Sequence, residues 1–466
     1  MNLAWFSPFP PVKTGVAAVS CELVAALEAR GHAIDRYPEH AAHDFPWRHR
    51  QRPYDLVVYQ FGNSSHHDYA WPYALRYPGL TVLHDTRLHH ARAALLLREK
   101  RRDDYRRELA WSEPGVNADA AEIAVAGFDS RLYYEWPMVR TLVASSRLVA
   151  VHGDATRREL VERLSDIRYP MTDDRGALAE RIASIRLGHG QLVGAEQEAA
   201  ARAAIRGKYG IAQDAIVFGV FGGLTPEKRI PQILAALRAI LPYAPGARLL
   251  LGGATADHAE FSAADYADIA DRVTSTGYIA DEELTDHIAA VDVSLNLRWP
   301  TARETSGPWL RALAAGKATV IVDLAHLTDV ASLDPRTWTV NGLWDLGVGL
   351  LEETPASMSG PKPKAQSPKP MCVAIDIVDE DHSLRLAMRR LAQDAALREA
   401  LGRAARDYWQ REHSIEAMAD DYERVMRGVR EVHEVRGEGA LPSHLRPDGD
   451  ARLRALLAPF GMESPL

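Results

Sequence analysis

Phe218-Gly219-Val220-Phe221-Gly222-Gly223-Leu224-Thr225-Pro226-Glu227-Lys228-Arg229 reads as a strand that runs through a loop into a helix. The apolar run 216–221 has strand length, two glycines follow, and a Thr-x-x-Lys entry leads to a helix starting near Pro226 or Ile230. Glycines admit a diphosphate to the backbone, and Lys228 is placed as its counter-charge. The Gly-Lys-Ser/Thr order of a Walker loop is missing. The plainer reading of Lys228 is an exposed lysine at a helix start.

The same unit recurs in both directions. Downstream, apolar runs of strand length lie at 248–251, 291–297 and 318–322; upstream they lie at 3–6, 56–60, 80–83 and 148–151. Residues 16–29 show helical periodicity and stop at Gly31, a natural C-cap. Short apolar runs alternating with helices imply parallel sheets covered on both faces, an α/β fold. At 466 residues the chain is too long for one core. The expected division is a first Rossmann-like domain over 1–205 and a hinge at 206–214, a polar stretch with Gly207 and Gly210. A second such domain covers 215–400, a helical region at 401–432 crosses back to the first domain, and a tail follows at 433–466. Residues 352–369, rich in Pro, Ser and Lys, read as an excursion, and 383–430 read as charged helix.

Hydrophobic residues make up 47% of the chain and charged residues 25%, ordinary for a folded protein. A formal net charge of −8 argues against nucleic acid as a partner. Two cysteines, Cys21 and Cys372, exclude a disulfide framework and suit a reducing cytoplasm. Residues 1–6 enter a strand with no basic leader, and no run of 18 apolar residues occurs, so the expectation is neither secretion nor a membrane span.

In parallel sheets, ligands sit at the C-terminal ends of the strands, in the crevice the loops line. The distinctive polar residues fall there. Gly15 opens a helix after the Pro10-Pro11-Val12-Lys13-Thr14 loop, where exposed N–H groups and the helix dipole favour an anion, although a plain strand–helix turn reads the same. His84-Asp85 follows the strand at 80–83 and points to catalysis; His152-Gly153-Asp154 repeats the arrangement, as acceptor or hinge contact. In Arg298-Trp299-Pro300-Thr301-Ala302-Arg303-Glu304-Thr305-Ser306-Gly307, Glu304 can accept from two sugar hydroxyls. The N–H groups of Thr305, Ser306 and Gly307 can donate to a phosphate. Glu304 as a plain capping residue is the alternative.

These stretches, with Gln60-Phe61-Gly62-Asn63 and Leu83-His84-Asp85, resemble GT-B glycosyltransferases of the family-4 class. The likeness is nearest to a bacterial subgroup with a Pro-Thr-x-x-Glu-Thr-Ser-Gly signature and extends to about Arg427. The resemblance implies two facing Rossmann-like domains and hexosyl transfer from a UDP- or GDP-sugar with retention, without an obligatory metal or other cofactor. It implies that Gly15 abuts the donor phosphate or the acceptor, that His84 meets the transferred sugar, and that Lys228 neutralises the diphosphate. Glu304 would hold sugar hydroxyls, and Gly222, Gly223, Thr305, Ser306 and Gly307 would cradle phosphate. Tyr278 and Ile279 would lie along the nucleoside; Asp85 and His152 would reach the acceptor, a glycan, a lipid-linked sugar or a small molecule.

Three positions depart from the family pattern. Gly223 stands where an arginine is usual, with Arg229 or Arg298 as candidates for the missing charge. Arg311 takes the place of a glutamate that grips ribose, and Arg303 takes the place of a glycine before Glu304. The first two favour an alternative, a non-catalytic pseudo-glycosyltransferase or regulatory nucleotide-sugar-binding subunit; a GT-B relative that epimerises or phosphorolyses a sugar is a further rival. Residues 87–107, arginine-rich around apolar 93–97, read either as a basic amphipathic segment for peripheral membrane contact or as a solvated helix face.

Overall fold

The structure, a computed structural model, describes residues 1–128, 132–165, 180–255, 261–322, 330–341, 369–431, 441–446 and 458–461. The chain forms two compact units. Unit 1 comprises Met1–Gly188, Pro300–Thr305 and Ile415–Leu466, and unit 2 comprises His189–Trp299 and Ser306–Ser414.

Unit 1 is built on a parallel sheet of β1 (Asn2–Phe6), β2 (Ala33–Tyr37), β3 (Leu56–Phe61), β4 (Leu80–Leu83), β5 (Leu148–His152) and β6 (Ile182–Ile185). Their order is β2-β1-β3-β4-β5-β6. Strands β3, β4 and β5 are buried at every position, which explains why they appear in the sequence as unbroken apolar runs. The helix Gly15–Ala29 starts on a Thr14 cap, whose hydroxyl accepts from the Ala17 N–H at 3.1 Å. It ends with Gly31 at φ +91°, where the N–H groups of Gly31 and His32 return to the Glu28 and Leu27 carbonyls.

Helix Ile415–Glu431 belongs to unit 1. Met418, Tyr422, Val425, Met426 and Val429 form its buried stripe. Tyr422 packs on Trp5 with ring centroids 5.6 Å apart, and Arg186 forks onto Asp421 at 2.8 and 3.1 Å.

Unit 2 carries β7 (Val217–Phe221), β8 (Arg248–Gly252), β9 (Val273–Ser275), β10 (Val293–Asn296), β11 (Ala318–Val322), β12 (Ser332–Leu333) and β13 (Cys372–Ile375). They are ordered β12-β13-β11-β10-β7-β8-β9 and all parallel. The unit's first strand, β7, therefore lies between its second, β8, and its fourth, β10. The order of connection reverses there, which makes the β7–β10 edge a topological switch point.

The stretch 206–214, expected as a hinge, lies within unit 2. The chain passes into unit 2 at Gly188–His189, and Arg206 anchors the stretch that follows. Its fully buried guanidinium donates to the carbonyls of Ala290, Ala212, Gln213 and Ala215 at 2.8–3.0 Å and pairs with Asp292 at 2.9 Å. A stretch bound at so many points is part of the unit's frame. Residues 352–368 of the expected excursion, and most of the tail from 433, lie outside the described residues.

The arginine-rich stretch forms two packed helices, His89–Arg98 and Arg102–Ser112. Ala93, Leu96, Tyr105 and Leu109 share a buried cluster, and Arg92 pairs in the interior with Glu108 at 3.0 Å. Arg101 meets Asp104, and Arg106 meets Glu122 and Asp103, so the positive charge is matched locally. This is the helix-face reading, with the apolar side turned inward. No helix among the described residues is long and apolar enough to cross a membrane.

Arg206→Ala should destabilise the protein by roughly 3–5 kcal/mol, because it strips a buried carboxylate and several carbonyls of their partner. Urea unfolding followed by tryptophan fluorescence measures the change; a loss below about 1 kcal/mol would mean that Arg206 is not the anchor of this region.

Candidate functional site

In unit 2, polar groups converge where β7 and β10 end. Gly222 leaves β7 at φ +90°, a conformation that side chains rarely adopt. Its N–H donates to the Gly252 carbonyl at 3.0 Å and Leu224 donates to Ala254 at 2.8 Å, zipping the loop to the end of β8. The Gly222 carbonyl lies 2.0 Å from where a Cβ on Gly253 would sit, so glycine is obligatory at 253 as well. Lys228 is buried, and its Nζ donates to the carbonyl of Phe221, the last residue of β7, at 2.7 Å. The cation expected from the sequence is thus held at the strand end and is not a solvated helix-start lysine. The Trp299 N–H donates to Glu227 at 2.9 Å, tying the loop after β10, which carries Arg298, to the residue before Lys228.

The helix Gly307–Ala314 starts beside these loops. Ser306 caps it, its hydroxyl accepting from the Trp309 N–H at 3.4 Å, and the Trp309 indole donates to Thr319 on β11 at 3.2 Å. Among the described residues, no carbonyl accepts from the N–H groups of Thr305, Ser306 or Gly307. They remain available to an anion, as the helix dipole favours. Tyr278 is half exposed, whereas Ile279 packs against the Phe221 and Leu250 cluster. Ile279 can therefore offer a nucleoside its backbone more readily than its side chain.

The departures from the family pattern have physical counterparts. A Cβ added at Gly223 would meet nothing within 4 Å, so the position of the usual arginine is open space. Arg229 does not fill it: at φ +59° it turns away and forks onto Glu380, Nε to Oε1 at 2.8 Å and Nη2 to Oε2 at 2.6 Å. Arg311 is buried, donating to Asp281 Oδ2 at 2.7 Å, the Asp281 carbonyl at 3.1 Å and His189 Nε2 at 3.0 Å. Arg303 has φ +65°, the left-handed backbone for which glycine is suited. Within the 300–305 segment of unit 1, Glu304 Oε2 accepts from the Thr301 hydroxyl at 2.9 Å.

Unit 1 gathers histidines at the ends of its central strands. His84 is buried between two partners: Nε2 lies 2.8 Å from Gln60 Oε1 and Nδ1 lies 3.2 Å from His152 Nε2. His152 Nδ1 faces the Ile185 carbonyl at 3.2 Å and must carry a proton to bond it. Gln60 presents Oε1 to His84 Nε2, and the Tyr422 hydroxyl donates to that same oxygen at 3.3 Å. Burial first, then the neighbouring His152 and His67, holds the His84 imidazole well below its ordinary pKa. Both ring nitrogens of His84 are occupied, so a direct bond from it to a sugar requires one of them to change partner. Asp85 Oδ2 accepts from the Asn63 N–H at 2.6 Å and shapes the loop after β3. Gly15 stands open at its helix start, a Cβ there meeting nothing within 4 Å.

Gln60 and His67 are the residues that sequence reasoning left without a role. Gln60 is a buried amide inside an apolar strand, and its backbone carbonyl is 2.9 Å from His67 Nδ1. A lone polar residue in an otherwise apolar run was the available signal.

Residues 215–342 match the family model of glycosyl transferases, group 1. No curated protein matches the chain. Among solved structures, the chain is similar to sucrose-phosphate synthase from Thermosynechococcus elongatus, with 15% identity, TM-score 0.57, and coverage of 93% of this chain and 100% of that one. It is also similar to Anabaena HepE in complex with UDP and glucose, with 12% identity, TM-score 0.54, and coverage of 92% and 99%. A glycosyltransferase from Rickettsia africae matches at 11% identity and TM-score 0.55 over 92% of this chain and 98% of its own. These likenesses, with the two parallel sheets, bear out the expected GT-B α/β fold.

Two measurements check the site's inner chemistry. Burial pushes the His67 pKa down to about 4. Above about pH 6.5 the folded and unfolded chains carry the same proton count there; below it the unfolded chain takes up a proton that the folded one refuses until about pH 4. Stability should therefore fall by on the order of 2 kcal/mol between pH 7.5 and 5 from this group alone. The slope should be shallower in His67→Gln, and equal slopes in urea unfolding would refute the sign. Arg311→Ala should lower thermal stability while leaving nucleoside diphosphate and 2′-deoxynucleoside diphosphate affinities in their original ratio; a changed ratio would make Arg311 a ribose reader.

Proposed function

We propose that the chain is a glycosyltransferase that moves a sugar from a nucleotide sugar to an acceptor, with retention and without a metal, unit 2 holding the donor. One observation carries this reading. At the switch point between β7 and β10 in unit 2, the Gly222-Gly223 turn, the Lys228 ammonium on the Phe221 carbonyl and the open N–H groups of Ser306 and Gly307 make a cradle for a diphosphate. The match of 215–342 to glycosyl transferases, group 1, falls on this unit, and the similar Anabaena protein holds UDP and glucose.

As the bond to the leaving diphosphate breaks, negative charge grows on its oxygens. Lys228 and the N-terminus of helix Gly307–Ala314 supply fixed positive potential there, so the charge meets donors that need no reorganisation. The departing phosphate takes the acceptor's proton, which is why a hydrolase-type carboxylate pair is not required. Glu304, oriented by Thr301, accepts from sugar hydroxyls.

The open position at Gly223 and the engaged Arg311 favour a second reading, a protein that binds nucleotide sugars without turning them over. Thermal-shift screening of UDP-, GDP- and dTDP-sugars, followed by product analysis with an acceptor mixture, separates the two. Stabilisation with product supports transfer, stabilisation without product supports the binder, and no stabilisation by any donor contradicts both. Lys228→Ala should stay folded and lose about 10²–10³ in turnover. Near-normal turnover in the folded variant would remove Lys228 from the chemistry. Glu304→Gln should weaken binding of the full donor more than that of the nucleoside diphosphate, and an equal loss for both would place Glu304 elsewhere.

A further inference from the structure

Within unit 1, two guanidinium groups converge on a single carboxylate oxygen. Glu159, on helix Asp154–Leu164, receives Arg87 Nη2 at 3.0 Å and Arg303 Nε at 3.2 Å, both on Oε1. Arg87 follows His84 by three residues at the C-terminal end of β4, and Arg303 directly precedes Glu304. One turn further along the helix, Arg163 points the same way, 3.7 Å from Glu113.

Three features do not fit a simple ion pair. The charges do not balance, since one carboxylate faces two fixed cations. Burial and then the charge of Arg303 lower the Arg87 pKa, as expected for a cation held beside another. The hydrogen bonds are incomplete: Arg303 Nη1 and Glu159 Oε2 are buried and without a partner among the described residues. A buried donor left unpaired costs about 1–3 kcal/mol. Finally, Arg303 adopts φ +65°, where a side chain costs about 1–2 kcal/mol relative to glycine. An arginine kept at such a position, with a donor unused, points to a group that arrives from outside.

We propose that Arg87 and Arg303 form a receiving site for an anionic group, a phosphate or carboxylate, carried by the acceptor. Guanidinium forks match the planar carboxylate and the phosphate face with paired N–H donors, and the spare Arg303 Nη1 supplies one. Glu159 occupies part of the site as an internal anion and keeps the two cations together. The placement beside the end of β4 puts the bound anion on unit 1, and with the donor on unit 2 the acceptor belongs to the phosphorylated or uronic class of sugars. This assignment of the anion to an acceptor rests on the glycosyl-transfer reading above; the anion site itself does not.

The test uses the full chain and three probes: inorganic phosphate, glucose 6-phosphate and glucose, titrated by calorimetry at fixed ionic strength. Arg303→Gly suits the backbone at φ +65° and should fold at least as well as the natural chain. It should weaken inorganic phosphate and glucose 6-phosphate at least about tenfold. Glu159→Gln, which removes the internal competitor, should bind both more tightly. Glucose 6-phosphate should outbind glucose on the natural chain, and UDP affinity should be the same in all three proteins. Phosphate binding that neither substitution changes, or equal binding of glucose and glucose 6-phosphate, would overturn the proposal. Displacement of phosphate by saturating UDP would overturn it too, by assigning the cations to the donor. Failure of UDP to bind the natural chain, with the phosphate pattern intact, would defeat the transferase reading and leave the anion site standing.

Discussion

The hydrogen bond from Lys228 Nζ to the Phe221 carbonyl, 2.7 Å long, fixes where the candidate site has its positive charge. A buried ammonium is tolerated only if its donors are satisfied, and a carbonyl at the end of a parallel strand is a partner the sheet leaves open. Holding Lys228 there demands that the chain turn sharply after Phe221, which Gly222 allows at φ +90°. The turn in turn brings the Gly222 carbonyl so close to residue 253 that only glycine fits. Two glycines, one strand end and one lysine therefore form a single constraint, and substitution of any one disturbs the rest.

Much of this was legible in the sequence because buried parallel strands leave an apolar run that solvent-facing elements do not. Strands β1, β3, β4, β5, β7, β8, β10 and β11 were found to within a residue or two for that reason. Strand β2, Ala-Ile-Asp-Arg-Tyr, was not, since an edge strand exposed on one side carries polar residues. Strand β13 is apolar and fully buried, but it follows the Pro- and Ser-rich stretch, whose composition hid it. Two glycines and polar side chains look alike in a linker and in a stretch bound through Arg206, and only the partners of that guanidinium tell them apart.

For the candidate site, the strand-end positions of His84 and Lys228 were legible, but not what each side chain touches. The pairing of His84 with His152 spans 68 residues and that of Arg229 with Glu380 spans 151. Contacts at such separations follow from topology and leave no local trace. The glycine expected before Glu304 was a sound reading of backbone need, since Arg303 does hold the left-handed conformation. What the sequence concealed was that the side chain there meets Glu159 beside Arg87.

The most direct measurement on the donor cradle is hydrogen exchange of the backbone amides in the presence and absence of saturating UDP-glucose, UDP and ADP, read residue by residue. Binding at the β7–β10 switch point should slow exchange at Gly222–Lys228 and at Ser306–Gly307, where the open N–H groups would acquire a phosphate partner. Strands of unit 1 should exchange as before. Protection confined to other segments, or unchanged exchange at 222–228 and 306–307 with a nucleotide demonstrably bound, would contradict the placement of the diphosphate on Lys228.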